Sequence, residues 1–257
     1  ALKLADWTGF GERRRQSEQA GKLRGIGIST VIENTGAGLF PKDTVAIDVA
    51  ADGAITVYSV SHSQGQGHET SFAMIVAETL GVAFERVHLR QGDEDRPLFG
   101  NHTGGSRSAV GAGSACHLAA KKLIEEGRAL AALELGVEPS QVEYANGGFR
   151  GGDSQRTVAL GDLAKTKVFS VTAEGSFGST FPNGCHIAEV EIDPETGVTE
   201  IVSYVTVDDC GRVINHAIVE GQMHGGVIQG AGQVFGEHVV YDRNTGQLMT
   251  GSFADYY

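Results

Sequence analysis

Two glutamine amides alternate with two glycines in Gln64-Gly65-Gln66-Gly67, followed at once by His68, within the stretch Ser61–Thr70. The stretch joins an alternating apolar run, Ile55-Thr56-Val57-Tyr58-Ser59-Val60, to the helical spacing of Phe72, Ile75, Val76, Thr79 and Leu80. A strand therefore hands over to a helix at the glycines. Glycine lets a ligand come close to the backbone. Each primary amide offers two donors and an acceptor, and the first N–H groups of the helix have no intrahelical partner, so the turn suits a heteroatom-rich anion such as a phosphate. The same ten residues also fit a plain glycine-rich turn carrying surface amides, since short glycine motifs are common.

Two further clusters keep it company. Thr103-Gly104-Gly105-Ser106-Arg107-Ser108 opens the longest helical pattern, about Ala109 to Leu135. The hydroxyls of Thr103, Ser106 and Ser108 and the bare backbone of Gly105 are the inventory of an anion nest. Ser106 and Ser108 also suit helix N-caps, the simpler role for Ser106 alone. Arg107 has two open roles, binding a phosphate or pairing with a carboxylate elsewhere. The third cluster lies on a helix from about Ala217 to Phe235, capped by Asn215, with six glycines between 221 and 236. Glycine costs about 1 kcal/mol relative to alanine in a helix interior, so something must pack closely on this helix. That is another backbone, or a cofactor reached by Gln222 and Gln229, which stand two turns apart on one face.

The surrounding elements are short and mostly hairpin-like. A helix over residues 7–21 carries Arg13-Arg14-Arg15 as a solvated face; Leu23–Glu33 alternates as a strand, and Gly36-Ala37-Gly38 forms a loop. Thr44–Val49 and Ile55–Val60 form a hairpin around Ala51-Asp52-Gly53, and Glu85–Gln91 is a strand. Asn146-Gly147 turns a second hairpin, and Pro194-Glu195-Thr196-Gly197 joins Cys185–Ile192 to Val198–Val207 in the clearest one. Another is expected from Glu237–Tyr241 and Gln247–Thr250. Such pairs, interspersed with two long helices, point to an α+β fold of mixed and antiparallel sheets with packed helices, in two subdomains, 1–100 and 101–257. A doubly wound parallel sheet is the alternative.

Composition narrows the function classes. The 257 residues carry 20 lysines and arginines against 32 acids, a formal charge of −12, with no basic footprint for nucleic acid. No apolar run has the length of a membrane span. Cys116, Cys185 and Cys210 are far apart and form no C-x-x-C pair, against a zinc ribbon, an iron–sulfur cluster or a disulfide framework and in keeping with a reducing cytoplasm. The 37 glycines exceed the usual share of about 7%.

Five motifs in order carry a family resemblance: Asp6-Trp7 with Phe10 and Gly21-Lys22-Leu23-Arg24-Gly25-Ile26-Gly27; Gln64-Gly65-Gln66-Gly67-His68; Thr103-Gly104-Gly105-Ser106-Arg107-Ser108; Asp208-Asp209-Cys210-Gly211-Arg212-Val213-Ile214-Asn215; and Gly221-Gln222 through Gly225-Gly226, Gln229-Gly230 and Gly232. Together they resemble the molybdenum-binding large subunit of the xanthine oxidase, aldehyde oxidase and aerobic carbon monoxide dehydrogenase family. The resemblance implies a molybdopterin-binding region whose Gln64–His68 turn, Thr103–Ser108 loop and Gln222/Gln229 helix hold a molybdopterin cofactor, commonly the cytosine dinucleotide. It implies oxidative hydroxylation of an aldehyde, an N-heterocycle or CO, with water as the oxygen source and electrons leaving through 2Fe-2S and FAD centres on partner subunits. A non-catalytic scaffold keeping the fold without the cofactor is the competing expectation.

The sequence departs from the family pattern at His216, where proline usually stands, and at Asn101-His102, where leucine and glycine are usual. The family's large subunit is much longer, and its Gly-x-Gly-Glu segment with the general-base glutamate has no counterpart here. Neither Glu220 nor Glu237 sits in that motif, so no catalytic residue or metal ligand is assigned. The chain is therefore expected to be a fragment or split half of the molybdenum subunit, catalytically dead alone, with the remaining half as partner and apolar surface that self-associates when uncovered.

Overall fold

The computed structural model describes residues 1–36, 42–152 and 156–256; the Gly36-Ala37-Gly38 loop lies mostly outside them. A 3-10 turn (Trp7–Gly9) leads into α1 (Phe10–Gln19), β1 (Leu23–Ile32), β2 (Asp43–Val49), β3 (Ile55–Ser59), α2 (His68–Leu80) and β4 (Val87–Gln91). A π-helical turn (Ala109–Gly113) runs into α3 (Ser114–Leu135), followed by β5 (Val142–Ala145), β6 (Gly148–Gly151), β7 (Thr157–Ala159) and α4 (Leu160–Leu163). β8 (Phe169–Gly175), β9 (Asn183–Ile192), β10 (Thr199–Asp209) and α5 (His216–Phe235) complete the order. The expected final hairpin is reduced to a single bridge between Tyr241 and Leu248. No helix among the described residues is long and apolar enough to cross a membrane.

Contacts divide the chain into two units, Ala1–Ile32 together with the segment from Pro182 onward, and Glu33–Phe181. The division does not fall at residue 100. β1 pairs antiparallel with β9 over its whole length, from Leu23 opposite Ile192 to Ile32 opposite Asn183. That pairing draws both ends of the chain into one unit, and no local apolar pattern announces it.

In the first unit the sheet order is β1-β9-β10, all antiparallel. Charge fastens α1 to it: Arg13 donates to both Glu189 oxygens at 2.9 and 2.8 Å, Arg24 donates to Glu189 at 2.6 Å, and the Ser17 hydroxyl donates to Glu191 at 2.6 Å. Arg13 also binds Asp6, which caps the 3-10 turn. Two turns repeat one chemistry. Asp193 and Asp242 each accept backbone N–H groups two and three residues on, and Gly197 and Gly246 follow with φ near +75° and +72°.

The second unit holds the main core. Its four-stranded sheet runs β4-β3-β2-β8, antiparallel except for β3 and β4, whose parallel pairing needs the α2 crossover. β2 is buried at every position but Asp48, and Val45, Ile47, Val57, Phe72, Val76, Leu80 and Leu123 fill the space beneath α2 and α3. The three-stranded sheet β5-β6-β7 packs against α3, where Gly127 makes room for Phe149; a Cβ there would stand 2.5 Å from the ring. One parallel pair among antiparallel neighbours is an α+β arrangement, not a doubly wound sheet.

Candidate cofactor-binding site

The Gln64–His68 turn sits at the C-terminal end of β3 and the N-terminus of α2, where the sequence placed it. Gly65 and Gly67 have φ of +115° and +77°, conformations that favour glycine, and Gly67 is the N-cap of α2 with no side chain to cap it. The Gln66 side-chain oxygen accepts from the Gln64 N–H. The backbone N–H groups from Gly65 to Glu69 meet no acceptor among the described residues. They form a run of free donors at a helix N-terminus, and none of the described residues comes within 4 Å of a Cβ built on Gly65.

A buried frame holds this turn. The Ser61 carbonyl accepts from His68 Nδ1 at 3.3 Å and from Gln91 Nε2 at 2.8 Å, while Gln91 Oε1 accepts from the Ser63 N–H. A carbonyl only accepts, so His68 carries its proton on Nδ1. His68 is 4% exposed and stacks on Phe72 at 4.7 Å. Burial pushes its imidazole below the ordinary value, against the opposing effect of the Ser61 hydrogen bond. His68 is thus a neutral support of the loop, its ring turned into the protein.

The Thr103–Ser108 loop lies beside this turn. The Ser61 hydroxyl bonds Thr103 Oγ1 at 3.1 Å and Ser108 Oγ at 3.2 Å, and Thr103 donates to the His62 carbonyl. Gly105 and Ser106 both adopt left-handed φ, +66° and +52°, and the N–H groups of Gly104, Gly105 and Ser106 meet no acceptor among the described residues. Ser106 does not cap the helix; its hydroxyl donates to Glu33 at 2.9 and 3.1 Å. Arg107 is 4% exposed and pairs with Asp43 at 2.7 Å, so of its two open roles it takes the carboxylate. Burial pushes the Asp43 carboxyl up, but hydrogen bonds from Arg107 and Asn101 outweigh it and hold the group below its ordinary value.

Gln222 and Gln229 are both exposed on α5 in the first unit, and Asn215 caps that helix through the Ile218 N–H. No residue of α5 is buried. Within its own unit, no atom lies within 4 Å of a Cβ built at Gly221, Gly225, Gly226 or Gly230. The packing partner that the glycines call for is not supplied by this unit. Glu220 pairs with His216 at 3.3 Å, and the Glu237 carboxylate lies where a Cβ on Gly232 would go.

A family profile described as a molybdopterin cofactor-binding domain matches residues 1–257. The chain belongs to this family, the molybdopterin-binding domain of molybdenum hydroxylase large subunits. It is 34% identical over 280 residues to the nicotine 6-hydroxylase large subunit of Paenarthrobacter nicotinovorans, covering 99% of this chain and 34% of the relative. It is 31% identical over 280 residues to the carbon monoxide dehydrogenase large chain of Hydrogenophaga pseudoflava, covering 100% of this chain and 34% of that one. The solved quinoline 2-oxidoreductase of Pseudomonas putida 86 superposes with a TM-score of 0.86 at 30% identity, over 99% of this chain and 35% of its own. The chain spans about a third of the length of these relatives.

The residues of the second unit fit a molybdopterin. Two side-by-side runs of free N–H donors, with a glycine open to approach, match the polar, phosphate-bearing chemistry of a pterin cofactor. Neither loop offers a free lysine or arginine, because Arg107 is spent on Asp43. What the two loops offer is backbone dipoles and hydroxyls. Sequence reading gave no holding role to Ser61, Asp43, Asn101 or Gln91; Ser61 adjoins the glutamine turn and Asn101 stood out as a departure from the family pattern, while Asp43 and Gln91 gave no local signal.

Proposed function

We propose that the free N–H runs at Gly65–Glu69 and Gly104–Ser106, with Gln64, Gln66, Thr103, Ser108, Gln222 and Gln229, hold the pterin and phosphates of a molybdopterin cytosine dinucleotide within a molybdenum-dependent oxidoreductase. The carrying observation is the joining of two donor runs by the Ser61 hydroxyl, at 3.1 Å to Thr103 and 3.2 Å to Ser108. When bound, the cofactor supplies a molybdenum centre for two-electron oxidation with water as the oxygen source. The chain's own residues bind and orient it. Glycine backbones let it approach, helix and loop N–H groups neutralise its phosphate charge, and His68 and Gln91 fix the turn from behind. Glu220 and Glu237 are exposed and stand in no such site, so the general base belongs to another part of the subunit.

The proposed substrate class is an aldehyde, an N-heterocycle or CO, and the nicotine- and quinoline-directed relatives favour the N-heterocycle. The remaining part of the large subunit and iron–sulfur and FAD subunits are the proposed partners, in the cytoplasm. Exposed Ile32, Ile228 and Val234, each at least 69% accessible, support self-association of the 257 residues on their own. Molybdenum and pterin analysis of the matured complex tests the reading. Stoichiometric molybdenum with a cytosine nucleotide is expected; a correctly assembled complex free of molybdenum would make the chain a scaffold.

A further inference from the structure

Both ends of the exposed loop 101–107 are tied to one carboxylate. Asp43 Oδ1 accepts from the Asn101 N–H at 2.9 Å and from Asn101 Nδ2 at 3.2 Å, while Arg107 grips Oδ1 and Oδ2 through Nη1 and Nη2 at 3.3 and 2.7 Å. Asn101 is fully buried and Arg107 nearly so, whereas His102, Gly104, Gly105 and Ser106 between them are exposed. The backbone next to the loop adds a tie from the Thr44 N–H to the Phe99 carbonyl at 3.0 Å.

The surroundings are shaped for this pair. A Cβ on Gly111 would stand 2.4 Å from Asp43 Oδ2 and 3.1 Å from Arg107 Nη2, and one on Gly100 would stand 3.3 Å from Asp43 Oδ1. As a device for stability alone the pair is a poor choice. Well-packed apolar side chains often serve a core as well as a buried ion pair, and Arg107 Nε is buried with no acceptor among the described residues, a cost that such a device would avoid. What the pair achieves is local. It closes a loop whose Gly105 and Ser106 are both left-handed, a conformation that a serine adopts at a cost and keeps only when its surroundings hold it.

We propose that Asp43 staples the Asn101–Arg107 loop into its donor-presenting shape, which makes Asp43 and Arg107 positioning residues for the cofactor phosphates. The proposal rests on the reading of these loops as cofactor-binding. Neither side chain touches the cofactor; both act through the backbone N–H groups of Gly104, Gly105 and Ser106.

The test uses the full-length subunit in its complex, with Asp43→Asn, Gly111→Ala, which crowds the pair without changing its charge, and Leu123→Ala as a destabilised core control. Molybdenum and released nucleotide per subunit are measured, with thermal melting and amide exchange at Gly104–Ser106 in cofactor-free complex. Loss of a residue that orients metal ligands typically costs about 10–100-fold in affinity, and the same order is expected for one that orients phosphate-binding N–H groups. Asp43→Asn and Gly111→Ala should therefore lower molybdenum content at least about tenfold under limiting supply and speed loop exchange, while Leu123→Ala melts earlier and keeps its molybdenum. If Asp43→Asn does not assemble, Gly111→Ala decides. Unchanged molybdenum in these variants, or an equal loss in Leu123→Ala, overturns the staple and leaves the proposed function standing. A wild-type complex without molybdenum overturns both.

Discussion

Arg13 and Glu189 meet at 2.8 Å across 176 positions of sequence, with the Glu189 side chain only 3% exposed. Arg24 adds a second guanidinium at 2.6 Å, and together they hold the glutamate carboxyl below its ordinary value of 4.5 against burial. The guanidiniums left behind, 24% and 17% exposed, keep access to water and to Asp6 and Glu191, so the loss is that of charge-assisted hydrogen bonds, about 1.5–3 kcal/mol. Glu189→Ala should cost about that much in urea unfolding and release α1 from the sheet. A carboxyl with a depressed folded-state value contributes stability that is complete above its unfolded value and lost as pH falls through the folded one. The wild type should therefore lose stability below about pH 4.5, with a shallower dependence in Glu189→Gln.

That pair also marks the limit of what could be read from the chain. The Gln64–His68 turn was legible because alternation before it and helical spacing after it are both local signals. The Asp193 turn was legible for the same reason. Nothing local pairs Arg107 with Asp43, 64 residues earlier, or β1 with β9, and a glycine such as Gly127 states that space is short without naming Phe149 as the cause. Long-range partners are chosen by packing, and packing is not periodic.

His68 gives a pH dependence of the opposite origin. Burial keeps its imidazole neutral in the folded state, with a value below the ordinary 6.5. The unfolded chain then binds more protons in the window between the two values, so stability is complete above about pH 6.5 and falls as pH drops toward the folded value, with a limiting slope of about 1.4 kcal/mol per pH unit. Urea titrations at pH 7.5 and pH 5.5 should show the wild type weaker at the lower pH. His68→Gln should lose that dependence, and an unchanged difference between the two pH values would assign it to another group.

Ser61 is fully buried and its hydroxyl bridges the two glycine loops. Ser61→Ala removes the bridge but leaves the carbonyl that supports His68 and Gln91. Net hydrogen bonds are worth about 1 kcal/mol each, so the variant should lose about 1–2 kcal/mol in chemical unfolding. Faster amide exchange is expected at both Gly65–Gly67 and Gly104–Ser106. A change confined to one loop would show that the hydroxyl does not couple them.

The α5 glycines separate the demands of folding from those of binding. Glycine is about 1 kcal/mol worse than alanine in a helix interior, and within the unit nothing stands within 4 Å of a Cβ at Gly225 or Gly226. Alanine there meets no steric objection in the unit itself. Gly225→Ala and Gly226→Ala should each raise the melting temperature of the 257 residues, or leave it unchanged, with more helical signal in circular dichroism. On the proposed role of Gln222 and Gln229, the same methyl groups in the complete complex should lower molybdenum content. A drop in melting temperature of the 257 residues would mean that a neighbour within this chain already occupies the glycine face. A rise in melting with full molybdenum would remove Gln222 and Gln229 from the proposed cofactor contacts.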